Sequence, residues 1–239
     1  MSVDVLMSAD EIGSARVEMD RRGVSCLSSW WKHAMKKRGW GPRGVVVGDH
    51  KKSWDVLKTL EFLERHVSKD GMVLDSGCYE SEVLCSLHRL GYSKLYGVDM
   101  NPAIQRMPFA DDIDYRVADF MHTPFADASF QAVVSISAIE HGFDAPLLLK
   151  EVSRLLAPGG YFIASFDYWP EKVDTTNVRL FGMDWRIFSA EEVTSFLDVA
   201  RTFGLHPIGA IKLAARDRPI DCMERKYTFG WLALRKPER

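Results

Sequence analysis

The run Phe130-Gln131-Ala132-Val133-Val134-Ser135-Ile136 is almost wholly apolar. A strand of this composition is buried on both faces, as in parallel sheets covered by helices on either side. Shorter strand-like runs stand at Met72–Leu74, Lys94–Val98, Ile113–Val117 and Tyr161–Phe166. Between and around them lie helical patterns. Trp54, Leu57, Leu60, Leu63 and Val67 repeat at helical spacing over residues 53–68, and Val83, Leu84, Leu87 and Leu90 share a face of a helix over 80–89. Leu147–Leu156 reads as another, and Ser189 with Glu192 opens one that runs to about Phe203. Alternating strands and helices require right-handed crossovers and a parallel sheet. The last two runs, Pro207–Leu213 and Tyr227–Arg235, have no helix between them and predict an antiparallel hairpin at one edge. The expected fold is α/β and doubly wound. Its sheet is mostly parallel and seven-stranded, with an antiparallel C-terminal hairpin strand and helices on both faces.

Residues 1–50 read differently and are expected to form an N-terminal helical extension or lid on a main domain of residues 51–239. Ser8 and Glu11 have the spacing of a capping box. The segment Trp30 to Trp40 is aromatic and basic together. It suits either a helix packing its tryptophans on the main domain or a surface for an anionic group. Gly41, Pro42 and Gly44 then break the chain.

Composition narrows the function classes. Hydrophobic residues make up 46%, enough for a substantial core. The net charge of -2 gives no general attraction to nucleic acid, so a nucleic-acid partner is not expected. The four cysteines form no CxxC pair, and no metal-ligand cluster is evident, so no metal is assigned. No apolar run reaches the roughly 18 residues of a membrane span. A cytoplasmic protein acting without a membrane, and possible as a homodimer, is the expectation.

In a doubly wound sheet the ligand sits beyond the carboxyl ends of the strands. The first strand of the regular part ends at Asp75-Ser76-Gly77-Cys78, where a glycine lets backbone approach a ligand closely. Asp99, in Gly97-Val98-Asp99-Met100-Asn101, stands about 20 residues further on, the usual place for a carboxylate that accepts from ribose hydroxyls. Asp119-Phe120 follows the next strand and Ser137-Ala138-Ile139-Glu140-His141 the one after it.

Together Val73-Leu74-Asp75-Ser76-Gly77-Cys78, Gly97-Val98-Asp99, Val117-Ala118-Asp119, Phe130 to Ser135 and Leu156-Ala157-Pro158-Gly159-Gly160 resemble the ordered motifs of class I S-adenosylmethionine-dependent methyltransferases. The resemblance covers about residues 55–235 and implies S-adenosylmethionine as methyl donor. It implies that Asp75, Gly77 and Cys78 line the methionine end, with Tyr79 beside them. Asp99 and Met100 would meet the ribose, Asp119 and Phe120 the adenine, and Ser137 the sulfonium. The sequence departs from the family where Tyr79 and Ser81 occupy positions that are usually small, and where Gln131 stands in place of an aspartate. Tyr79 is expected to keep an ordinary backbone conformation or to carry an unusual one at a cost.

His141 is the candidate general base for a hydroxyl acceptor, since imidazole titrates near neutrality. Asp144 is a second candidate, and Glu140-His141 as a loop-holding pair is the alternative. The long stretch after Phe166 holds Asp167, Tyr168, Trp169 and Trp185. It suits either an acceptor pocket, with Tyr168, Trp169 and Trp185 binding substrate, or an aromatic core beneath a surface loop. The expected activity is methylation of a small molecule, a hydroxyl of a sugar, glycan precursor or secondary metabolite. Rival readings are an RNA or protein methyltransferase and a non-catalytic protein that keeps the fold. A nicotinamide dehydrogenase is disfavoured by the missing GxGxxG.

Overall fold

The computed structural model describes residues 2–39 and 44–238. Trp40, Gly41 and Pro42, where the N-terminal segment is expected to break, lie outside the described residues.

The strands are β1 (Val3–Val5), β2 (Val73–Ser76), β3 (Leu95–Asp99), β4 (Ile113–Val117), β5 (Phe130–Ile136), β6 (Leu156–Tyr168), β7 (Arg179–Leu180), β8 (Met183–Asp184), β9 (His206–Pro207), β10 (Ile220–Cys222) and β11 (Arg225–Arg235). The helices are α1 (Ala9–Arg21), α2 (Trp30–Lys37), α3 (Ser53–His66), α4 (Val83–Arg89), α5 (Ala145–Leu155) and α6 (Ala190–Thr202). The main sheet runs β1-β11-β6-β5-β2-β3-β4. β6, β5, β2, β3 and β4 are mutually parallel, and β11 is antiparallel to β6. Chain order reverses between β2 and β5, so the ligand crevice is expected above that pair.

β5 is buried along its whole length except at Gln131, as its composition requires. One core packs Leu148, Val152, Val193 and Phe196 of α5 and α6 against one face of the sheet. Another packs Leu60, Leu63, Val83 and Leu84 of α3 and α4 against the opposite face. The sheet is therefore covered on both sides.

Several details differ from the sequence pattern. The stretch Pro207–Leu213 is not a full strand. β9 contributes Pro207 and His206 opposite Leu234 and Arg235, while the hairpin partner of β11 is β10. The outer place is taken by β1, with Val3 opposite Leu232. The buried face of α3 is also rotated from the expected stripe. Asp55, Val56, Thr59 and Phe62 point inward with Leu60 and Leu63, whereas Trp54 and Leu57 are half-buried. Polar atoms permit this because Thr59 Oγ1 accepts from Trp231 Nε1 at 3.0 Å and Asp55 Oδ2 from Ser165 Oγ at 2.7 Å. Ser189 and Glu192 form both bonds of a capping box, but Ser8 makes no side-chain cap. There Glu11 instead accepts from the Met7 amide at 3.3 Å.

Candidate active site

A cavity of about 820 Å³ opens above the carboxyl ends of β2, β3 and β5, where the chain order reverses. Gly77, Tyr79, Asp99, Met100, Phe120, Ser137 and His141 all line it. The tight turn after β2 explains its place. Gly77 has φ +76°, and a Cβ built there would lie 2.6 Å from the Ala138 Cβ. Both the conformation and the contact therefore call for glycine.

Tyr79 is spared the strained conformation, which falls on Glu80 instead (φ 67°). The Gly48 amide donates to Glu80 O at 2.7 Å, and Lys36 of α2 pairs with the Glu80 carboxylate. These contacts offset a backbone cost of roughly 1–2 kcal/mol. Ser81 uses its hydroxyl to donate to Asp75 Oδ2 at 3.0 Å. Asp99 accepts from the Tyr79 amide at 3.0 Å and from the Asn101 amide at 2.8 Å, so its carboxylate is aimed by two backbone donors.

Asp75 is buried and its Oδ1 has no hydrogen-bond partner among the described residues. Burial pushes its carboxyl up to about 7, the Ser81 hydroxyl opposes this, and the charge of Asp99 adds to it. A carboxyl raised in the folded state stabilises fully below its unfolded value near about 4. That stability is lost as pH rises through about 7. Asp75→Asn cannot ionise, so the loss of unfolding free energy between pH 5 and pH 8 should be smaller in the variant. Urea denaturation at the two pH values measures this, and equal losses in both proteins would refute the assignment.

The remaining residues that the motifs singled out stand elsewhere. Cys78 is buried behind the turn, with its Sγ packed against Gly97. Asp119 accepts from the Met121 amide at 2.8 Å and is not part of the cavity wall. Asp144 caps α5 by accepting from the Leu147 amide at 2.9 Å and lies off the wall as well. Tyr168 is fully buried and donates to Leu213 O. Trp169 lies under the Arg218 guanidinium, 4.0 Å from its ring centroid. Trp185 is buried and donates from Nε1 to Asp167 Oδ2 at 2.8 Å. Trp169 and Trp185 thus join a satellite core with Ile187, Tyr227 and Phe229, while Tyr168 packs in the main core with Phe166 and Phe188. The tip of the β7–β8 hairpin supplies the cavity wall instead, through Phe181 and Met183.

His141 sits beside that tip, its ring 5.3 Å from the Phe181 ring. Its segment is held by the insertion: Arg186 N donates to Glu140 O at 2.9 Å and Gly142 N to Asp184 O at 3.0 Å. Burial lowers the His141 pKa, Asp167 opposes this and Lys52 adds to it, so the site favours the neutral ring over the charged one. The adjacent Glu140 is fully buried, and burial together with Asp167 drives its carboxyl well above the usual range.

Lys52, Asp55 and the buried pairing of Asp167 are the residues that sequence reasoning missed. Lys52 reaches the cavity from the start of α3, where it donates to Ser137 Oγ and stands 3.6 Å from Asp167 Oδ1. Ser137 itself is left-handed (φ 50°), which turns its side chain out of the β5 ladder at the crevice. Periodicity registers apolar faces, so a charged residue before α3 and an acid within it leave no mark. The available signal for Asp167 was its place at the carboxyl end of a buried strand.

Known proteins share this arrangement in part. Residues 74–164 match a family model described as a methyltransferase domain. A relative from Mycolicibacterium smegmatis, named "Probable S-adenosylmethionine-dependent methyltransferase", is 29% identical over 161 residues, covering 60% of this chain and 59% of the relative. A sterol 24-C-methyltransferase from Eremothecium gossypii is 27% identical over 119 residues, covering 46% of this chain and 32% of the relative. A geranyl diphosphate C-methyltransferase from Streptomyces coelicolor A3(2), solved with Mg2+, geranyl diphosphate and S-adenosyl-L-homocysteine, superposes with a TM-score of 0.59 at 18% identity. The match covers 81% of this chain and 90% of that one. The chain spans 40%, 59% and 30% of the length of the first curated relatives it matches. No helix among the described residues is long and apolar enough to cross a membrane.

S-adenosylmethionine, which the name of the Mycolicibacterium smegmatis relative carries, suits the residues present. A Cβ at Gly77 would crowd Ala138 at the cavity wall, and Asp99 lines the same cavity with its carboxylate held by two backbone amides, an acceptor pair of the kind a ribose needs. The partnerless Asp75 oxygen marks a buried polar atom in the same turn.

Proposed function

We propose that this chain, which carries the fold and ordered motifs of class I S-adenosylmethionine-dependent methyltransferases, moves a methyl group to a hydroxyl of a small molecule. The observation that carries the acceptor assignment is His141, an imidazole whose neutral form the site favours, on the wall of the cavity that Gly77 and Asp99 also line. When bound, S-adenosylmethionine supplies a methyl group already activated by its sulfonium. The chain's own part is to hold the acceptor oxygen in line, exclude water and accept a proton. His141 takes the hydroxyl proton as the oxygen–carbon bond forms and the carbon–sulfur bond breaks. Its Nδ1 is shut away from solvent, so Nε2 is the atom assigned to this proton.

Phe181, Met183 and Val56 give the cavity an apolar side against which a ring or aliphatic frame can rest. Lys36, Gly48 and Asp49 of the N-terminal segment line another side of the cavity, which supports reading that segment as a lid. The size and partial enclosure of the cavity suit a small molecule, and the net charge of -2 gives no general attraction to a nucleic acid.

A panel of hydroxylated metabolites assayed with methyl-labelled cofactor would identify an acceptor. With that acceptor, His141→Ala should lower turnover by about 100-fold while leaving the dissociation constant for S-adenosylmethionine within about twofold. Unchanged turnover would remove His141 from the chemistry.

A further inference from the structure

Lys52 is placed with more care than a cavity wall requires. Its ammonium donates to Ser137 Oγ, stands 3.6 Å from Asp167 Oδ1, and lies 3.5 Å from the centroid of the Phe229 ring. These contacts come from β5's end, from β6 and from β11, so the charge is fixed in three directions. The ion pair is also oriented. The Lys52 side chain is 22% exposed and lines the cavity, whereas that of Asp167 is 5% exposed and does not. Trp185 Nε1 holds the Asp167 carboxylate on the protein side. Asp49 shares the cavity wall with Lys52, and its Oδ1 accepts from the Lys51 amide at 3.0 Å. Asp55 is turned away into its bond with Ser165. Glu140 is buried, and burial disfavours its ionised form. Across the cavity the Glu80 carboxylate is engaged by Lys36, and Asp99 is held by the Tyr79 and Asn101 amides.

We infer that Lys52 is a specificity-determining residue that makes this cavity favour the uncharged S-adenosylhomocysteine over the positively charged S-adenosylmethionine. The inference rests on the methyltransferase reading of the site. Lys52 presents a fixed positive charge to the cavity that takes a sulfonium, and like charges in a partly desolvated site repel appreciably. As the methyl group passes to the acceptor oxygen, the sulfur becomes a neutral thioether and the positive charge ends as the proton on His141. Lys52 therefore opposes the charged cofactor more than the neutral product, and the repulsion at the sulfur is relieved as transfer proceeds. Its charge also disfavours retention of the proton on His141, which promotes release of that proton to solvent.

Calorimetric titration of S-adenosylmethionine and S-adenosylhomocysteine tests this without any acceptor. The readout is the ratio of the two dissociation constants. Lys52→Met removes the charge at similar length and should narrow the preference for S-adenosylhomocysteine by about tenfold, chiefly by tightening S-adenosylmethionine. Lys52→Arg keeps the charge and should hold the ratio within about threefold. Asp167→Asn, whose amide oxygen can still accept from Trp185, uncovers the ammonium and should widen the preference. If Lys52→Met does not fold, Lys52→Gln is read in its place. A ratio unchanged by loss of the charge, or narrowed by Asp167→Asn, would overturn the inference. Failure of both ligands to bind the unaltered protein at millimolar concentration would instead overturn the methyltransferase reading on which it rests.

Discussion

Replacing Asp99 with alanine should weaken binding of S-adenosylmethionine by about 100-fold. Asp99 closes β3 at the mouth of the crevice, and its two oxygens are oriented by the Tyr79 and Asn101 amides at 3.0 and 2.8 Å. A carboxylate held in this way is ready to accept from both hydroxyls of a ribose without reorganising. Hydrogen bonds to a charged group contribute about 1.5–3 kcal/mol each. Alanine removes the acceptor and leaves the two amides to find water, so about 3 kcal/mol is the expected loss, or two orders of magnitude in affinity. Asparagine should not rescue binding, because its NH2 would face one of the two amide donors. Calorimetry with the cofactor measures the effect. A dissociation constant within threefold of the unaltered protein would show that the ribose lies elsewhere.

The largest loss of stability is expected at Arg16. Its guanidinium is bound to both oxygens of Glu82, to Ser53 Oγ at 3.0 Å and to Ser25 Oγ at 2.8 Å. Glu82 also accepts from the Cys26 amide at 3.0 Å, and its side chain has no solvent exposure. The pair ties α1 to the turn that precedes α4 and to the first residue of α3. Arg16→Ala would leave a buried carboxylate without its counter-charge, which costs about 3–5 kcal/mol. At this chain length that corresponds to a fall in melting temperature of about 10 °C. Replacing both partners, Arg16→Met with Glu82→Leu, should recover much of the loss, because no uncompensated charge then remains. Thermal denaturation of the three proteins decides it. A fall of less than about 2 °C for Arg16→Ala would mean that the pair is dispensable.

How much of this was legible in the residues depends on the kind of interaction. The parallel core of the sheet follows from runs such as Phe130–Ile136, because burial on both faces leaves no freedom of composition. The turn at Gly77 is legible for the same reason, since a φ of +76° and a 2.6 Å approach exclude any side chain. The two expected caps show where local patterns stop being sufficient. Ser189 and Ser8 carry the same signature, but only Ser189 completes it.

The edge of the sheet was harder to read. Val3–Val5 is too short to show a period, and its partner lies at the far end of the chain. The buried charges were harder still. Lys52 and Asp55 are accommodated by partners, Asp167 and Ser165, that the fold brings close from distant positions. Arg16 and Glu82 are the same case, whereas Glu140 Oε2 has no hydrogen-bond partner among the described residues. Tyr168, Trp169 and Trp185 have the composition of a binding surface, yet packing puts Tyr168 in the main core and the two tryptophans in a satellite core, and leaves the wall to Phe181 and Met183.

The pairing of β1 with β11 also bears on how the chain is made. Val3 is synthesised before the parallel core, but its partner Leu232 is added only after that core is complete. The parallel strands β2 to β6 can assemble while translation continues. Until β11 arrives, the outer edge of β6, a long and largely buried strand, stays open to any neighbouring chain. β11 closes that edge, and β1, its most sequence-distant partner, then covers the other side of β11. Slow translation between β6 and β11 would lengthen the interval in which nascent chains can aggregate.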